Sequence, residues 1–494
     1  MKPISGWRRR GAAAGLVIAL GGPALAASPA AAAATSTPTA AAVPRTVVLD
    51  GAELVRIRHR LATRPDPRLR AAMGALRQTA DAELTAGPWS VMDKSTTVSP
   101  DKHDYYSLAT YWWPSRPKTP DNPYGCPFVQ RDGHWAPDVA TTGDLPTLHK
   151  SWQAISDLSL AWFYTRRPAY ARRAELDIRA WFLDPATRMN PNMDYSQAIP
   201  CGSDPQGRNY GIIESAQAIT QVIDALAILD SGAPGWTPGN RAGIRAWLGE
   251  FLTWMRTSPF GRAESATTNN HGTWKDLQDA SLALYLGQTG TAKDLIQGTE
   301  AKRIAPQISA DGSQPGELKR TRSWHYANFN AQAFCRLAEA GRRVGVDLWS
   351  YTAPNGANIA KAVDFLIPGA ENGAGAWPYP DLDVFDRSLA VDKLHAAASQ
   401  ARDRTAGAAL DCRTGAGIGA ARTAGFEEGE GPAARGCLTF RSCEDGFVRN
   451  PPRGRSLIPS MPVVFPPRVL TAAPFARAAG RTSERRAGAR PRAG

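Results

Sequence analysis

No two of the six cysteines are spaced Cys-x-x-Cys, and the seven histidines (59, 103, 134, 149, 271, 325 and 395) show no ligand-like pairing. The spacing that a structural zinc site needs is therefore missing, and no metal or other cofactor is expected. Runs of alternating apolar and polar residues are scarce, which excludes a fold built mainly on sheets. Past the first residues, no run reads as apolar and long enough to span a bilayer. Lysine is absent from residues 401–494, where 16 arginines stand against 8 acidic residues. That segment carries +8 of the total +13 and residues 1–26 carry +4, which leaves +1 for residues 27–400. The basic surplus thus lies outside the part that reads as folded, so no nucleic-acid partner is expected.

Residues 1–26 read as an export signal: Lys2 and Arg8-Arg9-Arg10, an apolar stretch from Gly11 to Leu25, and Ala24-Leu25-Ala26 as cleavage site. The adjacent arginines admit the twin-arginine route as well as the general one. The expected location is outside the cytoplasm, with no membrane span. Residues 27–45, rich in Ala, Pro, Ser and Thr, suit a disordered linker. The 401–494 segment, dominated by Ala, Gly, Pro and Arg, reads as a poorly ordered tail or as the product of a reading-frame error. Cys126 and Cys201 lie in polar loops and are expected to pair, since an exported protein keeps disulfides. Cys335 falls in an apolar helical pattern and reads as a buried thiol; Cys412, Cys437 and Cys443 belong to the tail.

Residues 46–400 form the expected folded domain. Apolar residues recur there at three and four positions, as in Trp152-Ile155-Leu158-Trp162, Ile212-Ala216-Ile219-Ile223 and Trp247-Phe251-Met255. The fold class is mainly α. Between the helices run long polar and aromatic connections, such as 105–138 and 184–210, holding Tyr105, Tyr111, Trp112, Trp113 and Trp135. Helical hairpins joined by such loops suggest an α/α toroid, an incomplete α/α barrel, with a cleft across one face. Aromatic faces stack on sugar rings, so a carbohydrate suits these loops, although any single Trp is more often structural. The sequence carries no signal of oligomeric state.

The densest polar cluster is Asn269-Asn270-His271-Gly272-Thr273-Trp274, directly before an apolar helical stripe. One asparagine fits a helix N-cap, which leaves the other and the histidine without a structural reason. Downstream follow Asp311-Gly312-Ser313-Gln314-Pro315, Glu317-Leu318-Lys319-Arg320-Thr321 and Trp324-His325-Tyr326. Arg320 and Tyr326 are six residues apart, so a loop or helix start is expected between them. Asn-Asn-His-Gly-Thr-Trp, Asp-Gly-Ser-Gln-Pro and Tyr326 six residues past the Arg resemble the alginate lyase superfamily. So do Asp104-Tyr105-Tyr106-Ser107, Tyr111-Trp112-Trp113-Pro114, Arg131-Asp132-Gly133 and Trp181-Phe182-Leu183-Asp184 with Thr187-Arg188-Met189-Asn190-Pro191.

The resemblance, running from about 101 to about 392, implies an α/α toroid and β-elimination of a uronate-containing polysaccharide. In that chemistry the C5 proton leaves beside a carboxylate whose charge must first be neutralised. Asn270 and Arg320, with His271, can donate to it. Tyr326 would be the acid that protonates the C4 oxygen, and either Tyr326 or His271 the base. Nearby cations would lower the Tyr326 pKa. Trp112, Trp113, Arg188, Arg208 and Tyr105 would bind neighbouring sugars. A glycoside hydrolase would instead need two carboxylates, for which Asp311 and Glu317 are available, and a non-catalytic sugar binder would need neither set.

Overall fold

A computed structural model describes residues 42–201, 206–382 and 384–401. The expected export signal, most of the linker, the tail after residue 401 and Cys412, Cys437 and Cys443 lie outside the described residues. Two helices open the body, α1 (Gly51–Thr63) and α2 (Pro67–Glu83). Each starts on an aspartate, Asp50 and Asp66, whose carboxylate accepts first-turn backbone N–H groups. A loop segment follows with three short strands, β1 (Tyr106–Leu108), β2 (Trp112–Pro114) and β3 (Phe128–Gln130).

Helix α3 (Leu145–Thr165) and α4 (Pro168–Ile178) come next, then β4 (Tyr195–Ala198), α5 (Ile213–Asp230), α6 (Pro238–Thr257) and α7 (Pro259–Ser265). The chain continues through α8 (Asn270–Leu286), α9 (Thr289–Thr299), the short α10 (Ala305–Gln307) and α11 (Pro315–Leu318), and the long α12 (Ser323–Arg342). Helices α13 (Ile359–Asp364) and α14 (Ile367–Asn372) and a helical segment over 391–401 finish the body.

The long helices α3, α5, α8 and α12 pack side by side in that order, while α4 backs α3 and α9 backs α8. This is the mainly α, hairpin-built arrangement that the periodicity predicts. Burial explains why the inner row lacks a clear polar face: α8 buries Trp274, Leu277, Ala280 and Ala283, but also Lys275 and Asp279, which pair with each other at 2.5 Å. A helix buried on most sides cannot show a narrow apolar stripe. One expectation needs correction here. The segment Asn209–Asp230 is long and apolar enough to cross a bilayer, yet 83% of its apolar window is buried inside the protein. It is a core helix, apolar because its neighbours surround it.

Strand β1 pairs with β4 in parallel, and β2 with β3 antiparallel, Trp112 facing Gln130. The starts of α5, α8 and α12, together with these strands, gather at one end of the helix row.

Candidate active site

The segment Ser258–His271 builds the first wall. Ser258 caps α7, and α7 ends at a turn that leads into α8. Asn269 occupies the N-cap position of α8 without using its side chain. The cap comes from elsewhere: Glu317 Oε1 accepts the Asn270 backbone N–H at 2.7 Å, and Glu317 Oε2 accepts Asn270 Nδ2 at 2.6 Å. A carboxylate suits a helix N-terminus, where backbone donors and the helix dipole converge. Gly272 is required by packing. A side chain there would collide with the Arg303 guanidinium and the Thr267 carbonyl. Arg303 in turn donates to Thr267 O and Ser265 O and pairs with Asp276, stapling the turn from α7 to α8.

That turn sets Glu264 against His271. Glu264 is fully buried; its Oε1 lies 2.6 Å from His271 Nδ1 and its Oε2 accepts Asn209 Nδ2 at 2.9 Å. In the tautomer whose Nδ1–H donates to Glu264, the lone pair of His271 lies on Nε2. Tyr210 meets the imidazole edge-on at 5.0 Å.

The second wall is the break between α11 and α12. Arg320 sits in it, as expected from its spacing to Tyr326. Its Nη2 and Nε bond Asp132 at 2.6 and 3.2 Å, and its guanidinium lies 3.8 Å from the Tyr326 ring centre. Burial works against the arginine's charge, but the hydrogen bond and charge of Asp132 outweigh it and hold the group more firmly protonated than usual. The Tyr326 hydroxyl is 2.6 Å from that of Tyr111. The expectation of a lowered Tyr326 pKa is overturned. Burial, reinforced by Tyr111, lifts it well above the ordinary phenol value despite Arg320. Desolvation of an anion outweighs one cation that Asp132 already partly neutralises.

Arg208 closes the ring between the walls. Its guanidinium lies over Trp112 at 5.7 Å and over Tyr210 at 5.5 Å. Tracing contacts gives a closed circuit: Tyr326 to Tyr111, its neighbour Trp112, Arg208, Tyr210, His271, Asn270, Glu317, then Arg320 and back to Tyr326. Asn270, His271, Arg320, Tyr326, Trp112 and Arg208, expected from the sequence, are therefore brought together in one connected cluster.

Three other expected residues are not. Tyr105 is fully buried and donates its hydroxyl to Glu214 at 2.9 Å, so it supports the site from beneath and cannot touch a sugar. Trp113 follows Trp112 on a strand and so faces the opposite side, where Arg131 lies 4.6 Å over its ring. Arg188 is exposed and lines a separate cavity of about 290 Å³ with Arg179, Trp247 and Glu250. The carboxylates available to a hydrolase are also accounted for: Asp311 is exposed and caps Ser313 N–H, and Glu317 is spent on Asn270. His325 is half-buried against Phe329 and Tyr326, and desolvation pushes its pKa down to about 3. Glu264 and Tyr210 escaped the sequence reading, and Asp132 stood in it only as part of a family-like motif without a role, because the turns that bring them to their partners are encoded by no spacing. Cys126 and Cys201 are joined, with the sulfurs 2.08 Å apart, which ties the β2–β3 connection to the segment after β4.

Buried ionisable groups give the body a defined pH response. Burial lifts Asp144, Asp157, Asp177 and Asp224 to about 6, Glu214 to about 7 and Glu83 to about 9. Burial pushes His149 down to about 4. A raised carboxyl favours the fold below its unfolded pKa, and that advantage is lost as pH rises through the folded value. A depressed histidine acts oppositely, but only below about pH 6.5, where the unfolded chain takes up its proton. Above that, of the groups just named only the carboxyls count, so the thermal midpoint should fall between about pH 6.5 and 9. A midpoint that climbs over that range would contradict the burial of Glu214 and Glu83.

Similarity to known proteins spans the whole cluster. The sequence profile of a family described as alginate lyase matches residues 90–377, which include every residue of the circuit. The crystal structure of an alginate lyase from Bacteroides ovatus is 33% identical, covering 74% of this chain and 94% of that one, with a TM-score of 0.68. A histidine-to-alanine variant of alginate lyase A1-III complexed with a tetrasaccharide is 19% identical, covering 70% and 83%, with a TM-score of 0.45. No curated protein matches the chain significantly.

Proposed function

This chain belongs to the alginate lyase family, and from that premise and the side-chain cluster we propose that it cleaves a uronate-containing acidic polysaccharide by β-elimination. The observation that carries the reading is a phenol kept protonated and an imidazole oriented by a buried carboxylate within one cluster of polar side chains. Tyr326, kept neutral by burial, holds a proton to give the departing C4 oxygen. His271, with Nδ1 held by buried Glu264, presents Nε2 to the C5 proton. Asn270, anchored by Glu317, and Arg320, anchored by Asp132, donate to the carboxylate whose charge grows in the transition state. Trp112 and Tyr210 offer aromatic faces for the sugars on either side.

Incubation with mannuronate, guluronate and glucuronate polymers tests this. Unsaturated products absorbing in the ultraviolet are expected with at least one of them. Reducing ends without unsaturation would instead mark a hydrolase. Among the described residues no three His, Cys, Asp or Glu side chains converge as a metal site would require. The same assay should therefore run at an unchanged rate after dialysis against a chelator. A loss restored by added cation would replace the side-chain scheme for charge neutralisation.

We further propose that the protein acts outside the cytoplasm. Support comes from the signal-like residues 1–26 and from the Cys126–Cys201 disulfide, which persists in oxidising compartments. Retention of the chain in the cytoplasm when Arg8, Arg9 and Arg10 are intact would count against it.

A further inference from the structure

The Asp311-Gly312-Ser313-Gln314-Pro315 run supplies no group to the proposed chemistry, yet it is tied into the wall that carries Tyr326. Gln314 stands at the N-cap position of α11, where its backbone carbonyl accepts the Glu317 and Leu318 N–H groups at 2.9 Å each. Its side chain reaches α12 at two points. Nε2 donates to the Ala327 carbonyl at 3.1 Å, and Oε1 accepts Asn330 Nδ2 at 2.9 Å. Gln314 thereby holds the turn of α12 just past Tyr326, while three residues on Glu317 holds Asn270.

A second route runs beside the first. Asn330 Nδ2 also donates to Gln307 Oε1 at 3.0 Å, and the same oxygen accepts the Thr273 hydroxyl at 2.9 Å. Thr273 is three residues past Asn270 on α8, and Asn330 is four past Tyr326 on α12. Each therefore lies on the same helix face as a residue of the cluster, one turn further along. Asn330, Gln314, Gln307 and Thr273 are all buried. Two chains of bonds, one through α11 and one through α10, join the turn under Tyr326 to the turn under Asn270, and Asn330 is the member they share. A neutral amide suits that place, because its two N–H groups serve two acceptors without the cost of a buried charge. Such a network is stiff, since no water competes for its bonds.

We propose that Asn330 is a positioning residue: by bonding Gln314 and Gln307 at once it fixes the separation of Tyr326 from Asn270, and so of the proton for the C4 oxygen from the donor that meets the substrate carboxylate. The inference rests on the lyase reading for the roles of those two side chains. It adds the part that keeps them in register, since a misplacement of about 1 Å costs roughly a hundredfold in rate.

The test is steady-state kinetics of the full chain on a polymer that the parent cleaves. Asn330→Ala cuts both routes, and Gln314→Met keeps the side-chain volume while cutting the one through α11. They should lower kcat by roughly thirtyfold and tenfold, with KM within about twofold, because binding along the sugar chain does not depend on that register. Ile228→Val, in the core at the far end of α5, should melt earlier and keep the parental kcat. A merely structural Asn330 would behave like Ile228→Val, and that result overturns the proposal. Should Asn330→Ala fail to fold, Gln314→Met decides. In a Tyr326→Phe background, where the acid is gone, Asn330→Ala should cost less than about fivefold, whereas an undiminished loss overturns the coupling and with it the proposal. A parent that gives no unsaturated product from any uronate polymer overturns the lyase reading and this inference together. Unsaturated product from the parent, with near-parental kcat in Asn330→Ala and Gln314→Met, overturns this inference alone.

Discussion

Replacing Tyr326 by Phe should leave oligouronate binding within about twofold and lower kcat roughly a hundredfold or more, the usual scale for losing a positioned acid. The exchange keeps the ring and its stacking under Arg320, 3.8 Å away, and removes only the hydroxyl. That hydroxyl is the one polar atom of the side chain able to reach a leaving oxygen, and burial keeps its proton in place at neutral pH. A purely structural Tyr326 would behave differently. The bond to Tyr111 would be lost, stability would drop slightly, and turnover would hardly change. Arg320→Ala should separate from Tyr326→Phe by weakening binding as well as turnover, since it removes a group that meets the carboxylate before and during reaction. A Phe variant with near-parental kcat, on a polymer that the parent cleaves, would remove Tyr326 from the chemistry.

The largest loss of stability is expected from Asp144→Ala, on the order of 3–5 kcal/mol. Asp144 and Lys94 pair at 3.0 Å with both side chains fully buried. Burial raises the Asp144 pKa and lowers that of Lys94, so each charge is costly and tolerable only beside the other. The Lys94 ammonium also donates to the Val91 and Lys102 carbonyls, and Asp144 accepts the Tyr106 N–H at 2.9 Å. Removing the carboxylate strands a buried cation and frees the segment that leads to Tyr111 and Trp112. Activity should fall with stability. Lys94→Met combined with Asp144→Leu should recover much of the loss, because an apolar pair of similar volume needs no compensation. Chemical denaturation reads both; a single variant within about 1 kcal/mol of the parent would contradict the pair's burial.

What the sequence by itself determined was the kind of structure and the kind of chemistry. Three- and four-residue apolar spacing specifies helices because one face of each must be buried, and Trp152, Ile223 and Phe251 all lie in the core. Asn270, His271, Arg320 and Tyr326 were legible because amides, an imidazole, a guanidinium and a phenol in short clusters have few structural reasons to coincide. Tyr105 and Trp113 were misread because a motif does not state which way a side chain points. Tyr105 turns inward to Glu214, and the strand alternation turns Trp113 away from Trp112.

Only the tertiary structure decided which charges are spent and which are free. Glu317 and Asp132 are acidic residues like any other until folding places one on Asn270 and the other on Arg320. Glu264 acquires its role when the turn after α7 brings it to His271 Nδ1, a contact of 2.6 Å between residues seven apart. The Tyr326 proton is held by exclusion of water, which is a property of everything packed around the ring. Among the described residues the acceptors that Arg208 meets are the carbonyl and side-chain oxygens of Gln197, neither of them a carboxylate. Electrostatic balance in a cleft depends on distance and desolvation, and neither is written along the chain.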